Sequence, residues 1–245
     1  MEPLTYEDYL KWQGFFTYNN YKKLINKWKD EFTILRFKDV VEFEGKGLIL
    51  RHDVDFLVDS AIKMAEIEID LGIRSTYFVL VSAYSYNILN SKIADQLSFL
   101  ISNGFEVGLH FDPSIYPEAV LYDKFKLERS ILEEVLGVEV SSVALHNPSV
   151  HNQYPIFDNI LNAYDKRFFV LEKYLSDSRI DFFGKDPITF FDNIEAPNIV
   201  QVVLHPEQWG FNECDYLEIE IAVLEAHRRE LRTYAKTTKM YEYIF

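Results

Sequence analysis

The stretch GLILRHDVD at residues 47–55 decides the fold, because it joins an apolar run to a cluster of charged side chains. The run GLIL at 47–50 is apolar on both faces, as a buried strand of a parallel sheet must be. Charged residues that directly follow such a strand lie at its carboxyl end, where parallel α/β folds build their active sites. This stretch therefore predicts a buried strand that leads into a functional site.

The same pattern recurs along the chain, where strand-like runs alternate with apolar residues at helical spacing. Helices are predicted over 58–71, around Leu97 and around Leu132, and Gly72, Gly104 and Gly137 end them. This alternation predicts an α/β fold with six or more largely parallel strands, arranged as a barrel or a doubly wound sheet. The further predicted strands are STYFVLV (75–81), VGLHF (107–111), SSVAL (141–145), FFVLE (168–172) and NIVQVVL (198–204).

No linker rich in Ser, Gly or Pro divides the 245 residues, so we expect a single domain over 1–245. Residues 1–46 have the pattern of short amphipathic helices and are expected to form a helical N-terminal extension. The tail 215–236 is expected to form a closing helix with its charged residues outward.

The net charge of −14 argues against a nucleic-acid partner, because binding to phosphates needs an excess of Lys and Arg. It also argues against docking on anionic membranes. A single cysteine, Cys214, excludes an internal disulfide and a thiolate zinc cluster. No signal peptide and no membrane-length apolar run is visible, so we expect a cytoplasmic protein without membrane insertion.

Polar residues follow five of the predicted strands, and the carboxyl ends of parallel strands converge on one face. Asp53 and Asp55 lie close together, and such carboxylates repel each other unless a cation lies between them. Imidazole and carboxylate groups are typical ligands of Zn²⁺ or a similar divalent ion. The pattern favours a metal-dependent hydrolase with a carboxylate base and a histidine acid. The other polar groups in these positions are His110, Asp112, His146, Asn147, Asp177, Arg179, His205 and Glu207.

Each of these residues also has a purely structural interpretation. An Asp-x-Asp pair after a strand is more often a helix cap or a turn. His110 alone is as readily a half-buried histidine, and His146 before Asn147-Pro148 can simply shape a turn. His52 is expected to point away from Asp53 and to play a supporting role.

Taken in order, these motifs resemble the polysaccharide deacetylase superfamily (carbohydrate esterase family 4, NodB-like), in particular its HDVD branch found in bacterial surface-polysaccharide gene clusters. The motifs are RHDVD (51–55), STYFV (75–79), GFEVGLHF (104–111), LHNP (145–148), YLSDSR (174–179) and VLHPE (203–207). The resemblance implies a distorted parallel (β/α) barrel of about six to seven strand–helix units. It also implies a divalent metal, typically zinc, and the hydrolysis of an acetyl group on a sugar.

The resemblance also implies roles for individual residues, carried over by position. Asp53 matches the catalytic base, Asp55 and His110 match metal ligands, and His205 matches the acid. Asp177 and Arg179 match residues that orient the catalytic groups. The substrate, a small molecule or an oligosaccharide, is expected to contact Arg51, Asp112, Glu207 and Trp209, the last as a floor for a sugar ring.

Two departures from the family pattern leave alternatives open. Val54 separates two aspartates that are usually adjacent. The pattern therefore leaves open which of Asp53 and Asp55 is the base and which is the metal ligand. The residue four positions after His110 is Ser114 instead of the usual second histidine. We expect His146 to replace that ligand, with Asp112 as second choice.

The leading hypothesis is therefore a metal-dependent hydrolase that removes an N- or O-linked acetyl group from a sugar or sugar precursor in surface-polysaccharide biosynthesis. The alternative is a non-catalytic carbohydrate-binding or assembly protein on a degenerate deacetylase fold, as the missing histidine suggests. A metal-dependent sugar isomerase would need a lysine or a set of carboxylates for a second metal at the strand ends, and the five clusters contain no lysine. The sequence does not indicate the oligomeric state.

Overall fold

Eight parallel strands form one sheet in the part of the chain that the computed structural model describes, which is residue 12 and residues 14–179, 181–210 and 216–238. Seven strands lie in the order β6-β5-β4-β3-β2-β8-β7, and β1 pairs with β2. With its helices, this sheet forms a distorted parallel (β/α) barrel. The strands are β1 (Thr33–Leu35), β2 (Lys46–Val54), β3 (Thr76–Leu80), β4 (Glu106–Phe111), β5 (Ser142–Leu145), β6 (Leu161–Asn162), β7 (Tyr174–Ser176) and β8 (Asn198–Leu204).

The helices in the same part of the chain lie close to their predicted positions, and none of them is long and apolar enough to cross a membrane. Gly72, Gly104 and Gly137 follow three of them with φ of +70°, +85° and +65°, in the left-handed region where glycine ends helices. The helices are α1 (Tyr18–Glu31), α2 (Val58–Asp70), α3 (Ser91–Ser102), α4 (Leu121–Leu136), α5 (Pro148–His151) and α6 (Tyr216–Ala235).

Strand β2 lies at the centre of the sheet and is longer than the apolar run GLIL indicated. It continues to Val54, so Arg51, His52 and Asp53 belong to the strand and not to a turn after it. β8 pairs with one edge of β2, whereas β1 and β3 share the other edge. Because both edges and both faces are covered, every residue from 47 to 54 is buried.

Two segments differ from the expectation. Residues 168–172 do not form a strand, since a 3₁₀ turn covers Leu171–Lys173 and pairing with β8 begins only at Tyr174. The N-terminal segment is not wholly helical, because β1 and the 3₁₀ helix Phe37–Glu42 follow α1. Residues 1–11 and Cys214 lie outside the described residues, so the expectations about the N-terminus and the cysteine do too.

Gly108 in β4 lets the neighbouring strands pack closely. A Cβ atom at this position would collide with the ring of Phe78 and lie 2.7 Å from Ser142 Oγ. Phe78 and Ser142 are fully buried in β3 and β5, so neither side chain has free space to move into.

Replacing Gly108 with Ala should therefore lower the free energy of unfolding by about 1–3 kcal/mol, because the added methyl group overfills the core. Urea unfolding of Gly108→Ala measures this loss. The double variant Gly108→Ala/Phe78→Leu should be less destabilised than the sum of its two single variants. Strict additivity would mean that the Phe78 ring is not what excludes the methyl group.

Glu128 on α4 has a buried carboxyl group, and only one of its two oxygens has a hydrogen-bond partner. Tyr116 donates a hydrogen bond to its Oε1 at 2.5 Å, whereas Oε2 is buried without a hydrogen-bond partner. Burial raises the pKa of Glu128 to about 7, and the nearby charge of Asp112 adds to this effect. The folded protein thus holds a proton on Glu128 at pH values where the unfolded chain has released it, so its contribution to stability falls between about pH 4.5 and pH 7.

We predict that Glu128→Gln stabilises the protein by about 1–3 kcal/mol at about pH 8 and has little effect at about pH 4.5, since the amide keeps the Tyr116 bond without a buried charge. Thermal or urea unfolding at both pH values provides the measurement. An equal effect at the two pH values would contradict this account.

Candidate metal centre

The carboxyl ends of neighbouring parallel strands bring the predicted ligands together. Asp53 lies at the end of β2, with Asp55 just beyond it, and His110 lies near the end of β4. His146 and His205 directly follow β5 and β8. Since these strands neighbour one another or are one strand apart, four distant segments of the chain meet at one edge of the sheet.

Asp55, His110 and His146 form a group that could hold a metal ion, with one ligand atom of each within 4.8 Å of the others. Asp55 Oδ1 lies 3.1 Å from His110 Nε2 and 3.3 Å from His146 Nδ1, and the two ring nitrogens are 3.2 Å apart. Asp55 Oδ1 is buried, and its contacts with the two imidazoles do not have the geometry of hydrogen bonds. Two imidazoles and a carboxylate suit Zn²⁺, and an unpartnered buried oxygen among them fits a cation.

Backbone and amide groups hold the two imidazoles in place. His110 Nδ1 lies 3.2 Å from the carbonyl oxygen of Ala144, so a proton on Nδ1 leaves the lone pair of Nε2 facing Asp55. His146 Nε2 lies 2.8 Å from Asn147 Nδ2, so in this arrangement the amide donates to the ring. Binding of a metal by Nδ1 needs the proton on Nε2, and a rotation of the amide that exchanges Oδ1 with Nδ2 lets Asn147 accept a hydrogen bond from it.

The electrostatics of the site keep Asp55 ionised. Burial acts to raise its pKa, but the adjacent imidazoles of His110, His146 and His205 outweigh burial and hold the pKa well below the ordinary value. The ionised form is the one that binds a metal.

Asp53 is held by a buried network on the same face of β2. Arg51 Nη2 donates to Asp53 Oδ2 at 2.9 Å and to the hydroxyl of Tyr164 at 3.0 Å, and Nη1 donates to Gln201 Oε1 at 3.2 Å. The other oxygen, Asp53 Oδ1, is buried and has no hydrogen-bond partner. His110 Nε2 is 3.9 Å from Asp53 Oδ2, farther than from Asp55. Asp55 is therefore better placed as a ligand, and Asp53 has one oxygen free.

His205 is oriented by Asp177. His205 Nδ1 lies 2.6 Å from Asp177 Oδ1, and Trp209 Nε1 donates to the other oxygen at 2.9 Å. Burial lowers the pKa of His205, but Asp177, with smaller contributions from Asp55 and Asp53, outweighs burial and raises it to about 10. His205 Nε2 points towards Asp55, with 3.9 Å between Nε2 and Oδ2.

A cavity of about 590 Å³ opens at this edge of the sheet and is lined by Arg51, Asp53, Asp55, His110, His146 and His205. The sequence analysis assigned no site role to the aromatic residues on its other walls. They lie in loops and in the short strand β7, where no periodic pattern marks them. These aromatic residues are Tyr154, Tyr164, Phe169, Tyr174, Phe183 and Phe190.

Three of the expected substrate contacts lie outside this cavity lining. Trp209 is 3% exposed and packs against Phe16, so it does not form the expected floor for a sugar ring. Asp112 accepts hydrogen bonds from the amide and hydroxyl groups of Ser114, as a cap of a 3₁₀ turn. The geometry thus places His146, and not Asp112, beside the other two candidate ligands.

Glu207 is the third expected substrate contact outside the cavity lining, and Arg179, which was expected to orient the catalytic groups, lies outside it as well. Burial, with the charge of Asp55, raises the pKa of Glu207 to about 8. Arg179 forms an ion pair with Asp181 at 3.0 Å, so Arg51, and not Arg179, holds Asp53.

No protein-family model and no curated protein matches this chain. Similar solved structures include the peptidoglycan deacetylase PdaC from Bacillus subtilis (13% identity, 74% of this chain and 81% of that one, TM-score 0.43). They also include the chitin deacetylase from Colletotrichum lindemuthianum (16%, 74% and 81%, TM-score 0.41) and a CE4 family pseudoenzyme from Bacillus anthracis (13%, 75% and 60%, TM-score 0.43). Similarities at this level do not define the reaction of this chain.

The Arg51–Asp53 pair generates a prediction about stability. Arg51→Met should destabilise the protein by about 3–5 kcal/mol, because it leaves the Asp53 carboxylate buried without its partner. In the double variant Arg51→Met/Asp53→Asn, much of this loss should be recovered. A double-mutant cycle measured by urea unfolding gives the coupling energy, with the exposed pair Lys63–Glu66 as a control expected to couple by less than about 1 kcal/mol. Equal coupling energies in the two pairs would show that burial does not strengthen the Arg51–Asp53 interaction.

Proposed function

We propose that this protein is a metal-dependent hydrolase that removes an acetyl group from a sugar or sugar precursor, in the biosynthesis of a surface polysaccharide. The observation that carries this proposal is the convergence of Asp55, His110 and His146 at one edge of a cavity. Asp53 and His205 flank these three residues. The resemblance of the ordered motifs to polysaccharide deacetylases supports acetyl transfer to water as the reaction.

Asp55 Oδ1, His110 Nε2 and His146 Nδ1 would hold the metal, for which we propose zinc because imidazole and carboxylate ligands suit it. A divalent ion bound there polarises an acyl oxygen and lowers the pKa of water.

Asp53 would act as the base. Its Oδ2 is occupied by Arg51, whereas Oδ1 is free of hydrogen bonds and available to accept a proton from water. Gln201 and Tyr164 accept hydrogen bonds from Arg51, and the guanidinium in turn holds the carboxylate, so its free oxygen keeps one direction relative to the cavity.

His205 would act as the acid towards the leaving amine or alcohol. Asp177 accepts a hydrogen bond from Nδ1 and fixes the ring, so Nε2 faces the site. A leaving nitrogen or oxygen takes a proton from Nε2 as the bond to the acetyl carbon breaks. Trp209 and the backbone amide of His205 both donate to Asp177, which keeps this carboxylate in place.

Metal analysis of the purified protein tests the ligand set. We expect about one equivalent of zinc or a similar metal in the parent, and its loss in His110→Ala and His146→Ala. Asp112→Ala and His151→Ala serve as matched controls and should keep the metal, because Asp112 caps a turn and His151 is exposed. If Asp112→Ala loses the metal and His146→Ala keeps it, the third ligand is wrongly assigned.

Release of acetate from a panel of N- and O-acetylated sugars tests the reaction. Asp53→Asn should keep the metal and lose at least about 10²-fold in kcat, because the amide cannot accept the proton. Retention of full activity in Asp53→Asn would overturn the assignment of the base. Binding of acetylated sugars without acetate release from the metal-loaded parent would instead support a non-catalytic carbohydrate-binding protein.

A further inference from the structure

Phe183, in the segment after β7, has an unusual backbone conformation for a bulky residue. Its φ is +54°, whereas every other described residue with a positive φ is a glycine or an asparagine. In this left-handed region a large side chain is crowded by its own backbone, so the conformation lowers stability unless other contacts hold it. Strain of this kind at a large side chain points to a functional position.

The ring of Phe183 lines the cavity that contains the candidate metal centre. Phe183 is 38% exposed, whereas the preceding Phe182 is fully buried and stacks on Phe16 in the core. Gly184 follows with φ of +74°, so two successive left-handed residues turn the chain at this point. The turn leaves one of two adjacent phenylalanine rings in the core and the other at the cavity.

Arg179 supports the Phe183 ring. Its guanidinium carbon lies over the ring, 4.5 Å from the centroid. Asp181 is buried and accepts hydrogen bonds from Arg179 Nη2 at 3.0 Å and from Nε at 3.4 Å, which fixes the plane of the guanidinium. Since Phe183 lines the cavity and Arg179 does not, the guanidinium holds the ring from outside the cavity wall. The side of the ring towards the cavity is left for a ligand.

We propose that Phe183 is the platform on which the sugar ring of the substrate stacks, and that Arg179 positions this platform. The inference rests on the proposed function, since a sugar whose acetyl group reaches Asp55, His110 and His146 must lie in the same cavity. A pyranose ring presents C–H groups on its faces, and an aromatic ring removes this apolar area from water.

The size of the cavity agrees with this proposal. Its volume of about 590 Å³ falls within the range of about 300–1,000 Å³ that is usual for small-molecule sites. Phe183 thus fills the role that was expected of Trp209, which is buried in the core. Such a platform makes the site select acetylated sugars over acetyl compounds that have no ring.

Calorimetric titration of the full chain, supplemented with zinc, tests the platform without requiring turnover. The probes are the methyl glycosides of N-acetylglucosamine, N-acetylgalactosamine and N-acetylmannosamine. We expect the parent to bind at least one of them, and Phe183→Ala to raise its Kd at least about fivefold. Phe183→Tyr should restore binding, because it keeps the ring.

Ile188→Ala is the matched control for this titration. Ile188 is 48% exposed on the same segment and lies outside the cavity lining, so its removal should leave Kd unchanged. Binding of none of the three glycosides to the parent, or an unchanged Kd in Phe183→Ala, would overturn the proposal.

Kinetics with any glycoside that releases acetate separate the platform from the reaction. In Phe183→Ala the loss should appear in KM and not in kcat, because the contact is the same in the ground state and the transition state. Arg179→Ala should also raise KM, and it should add little in a Phe183→Ala background, since it acts through the ring. Fully additive effects would overturn the positioning role of Arg179.

The two proposals fail in different ways. Binding that Phe183→Ala weakens, with no acetate released by the parent, would support the platform and overturn the hydrolysis. Acetate release with the same KM in Phe183→Ala would support the hydrolysis and overturn the platform.

Urea unfolding tests the backbone conformation. Phe183→Gly should unfold at a higher urea concentration than Phe183→Ala, because glycine adopts a positive φ without crowding. At Ile188, where φ is not positive, the glycine variant should instead unfold at a lower urea concentration than the alanine variant. The same order at both positions, with alanine more stable, would overturn the left-handed conformation that supports the platform.

Discussion

The ion pair between Arg51 and Asp53 is the interaction on which the candidate site depends. Both side chains are buried in a strand that is covered on both edges, where an unpaired charge would cost several kcal/mol. Residues two apart on a strand share a face, so the strand itself brings guanidinium and carboxylate together. Gln201 of β8 and Tyr164 take up further donors of Arg51, which couples the position of Asp53 to two other segments of the chain.

The opposite face of the same strand is also polar. His52 points away from Asp53, as the alternation of a strand requires, and its Nε2 lies 2.6 Å from Glu68 on α2. Tyr21 of α1 and Ser75 donate to the same carboxylate. Strand β2 therefore carries the candidate catalytic carboxylate on one face and, on the other, the polar group that joins α1 and α2 to the sheet. A shift of its register by one residue would move every side chain to the opposite face, so both the Arg51–Asp53 pair and the contact of His52 with Glu68 would be lost.

The sequence predicted those parts of the structure that follow from local pattern. Helical spacing and the stops at Gly72, Gly104 and Gly137 located three helices, and the rule that parallel strands converge at their carboxyl ends brought His110 and His146 to Asp55. The choice of His146 over Asp112 also followed from this rule, since His146 directly follows the strand next to β4.

The parts that the sequence did not predict depend on contacts between distant segments. The sequence alone indicates that Arg51 is a polar residue after a strand. In the structure, pairing with β3 and β8 extends the strand past Arg51 and buries this side chain. The apolar run at 168–172 is as strand-like as the true β7, but only Tyr174–Ser176 finds a partner in β8. Trp209 next to the HPE motif suggested a sugar contact, whereas its indole donates to Asp177 inside the aromatic cluster of Phe16 and Tyr21.

The same reasoning about buried charge explains why Asp55 differs from Asp53, although only Val54 separates them. Asp53 has a permanent cation, since the Arg51 guanidinium does not lose its proton at physiological pH. Within salt-bridge distance of Asp55, the described residues offer only the imidazoles of His110, His146 and His205. An imidazole nitrogen that carries a proton cannot bind a metal, so a proton and a metal ion compete to balance this one charge. The fold thus balances the charge of Asp53, whereas the charge of Asp55 is left for the imidazoles or a bound cation to balance. This difference supports the proposal that Asp53 is the base and Asp55 the ligand.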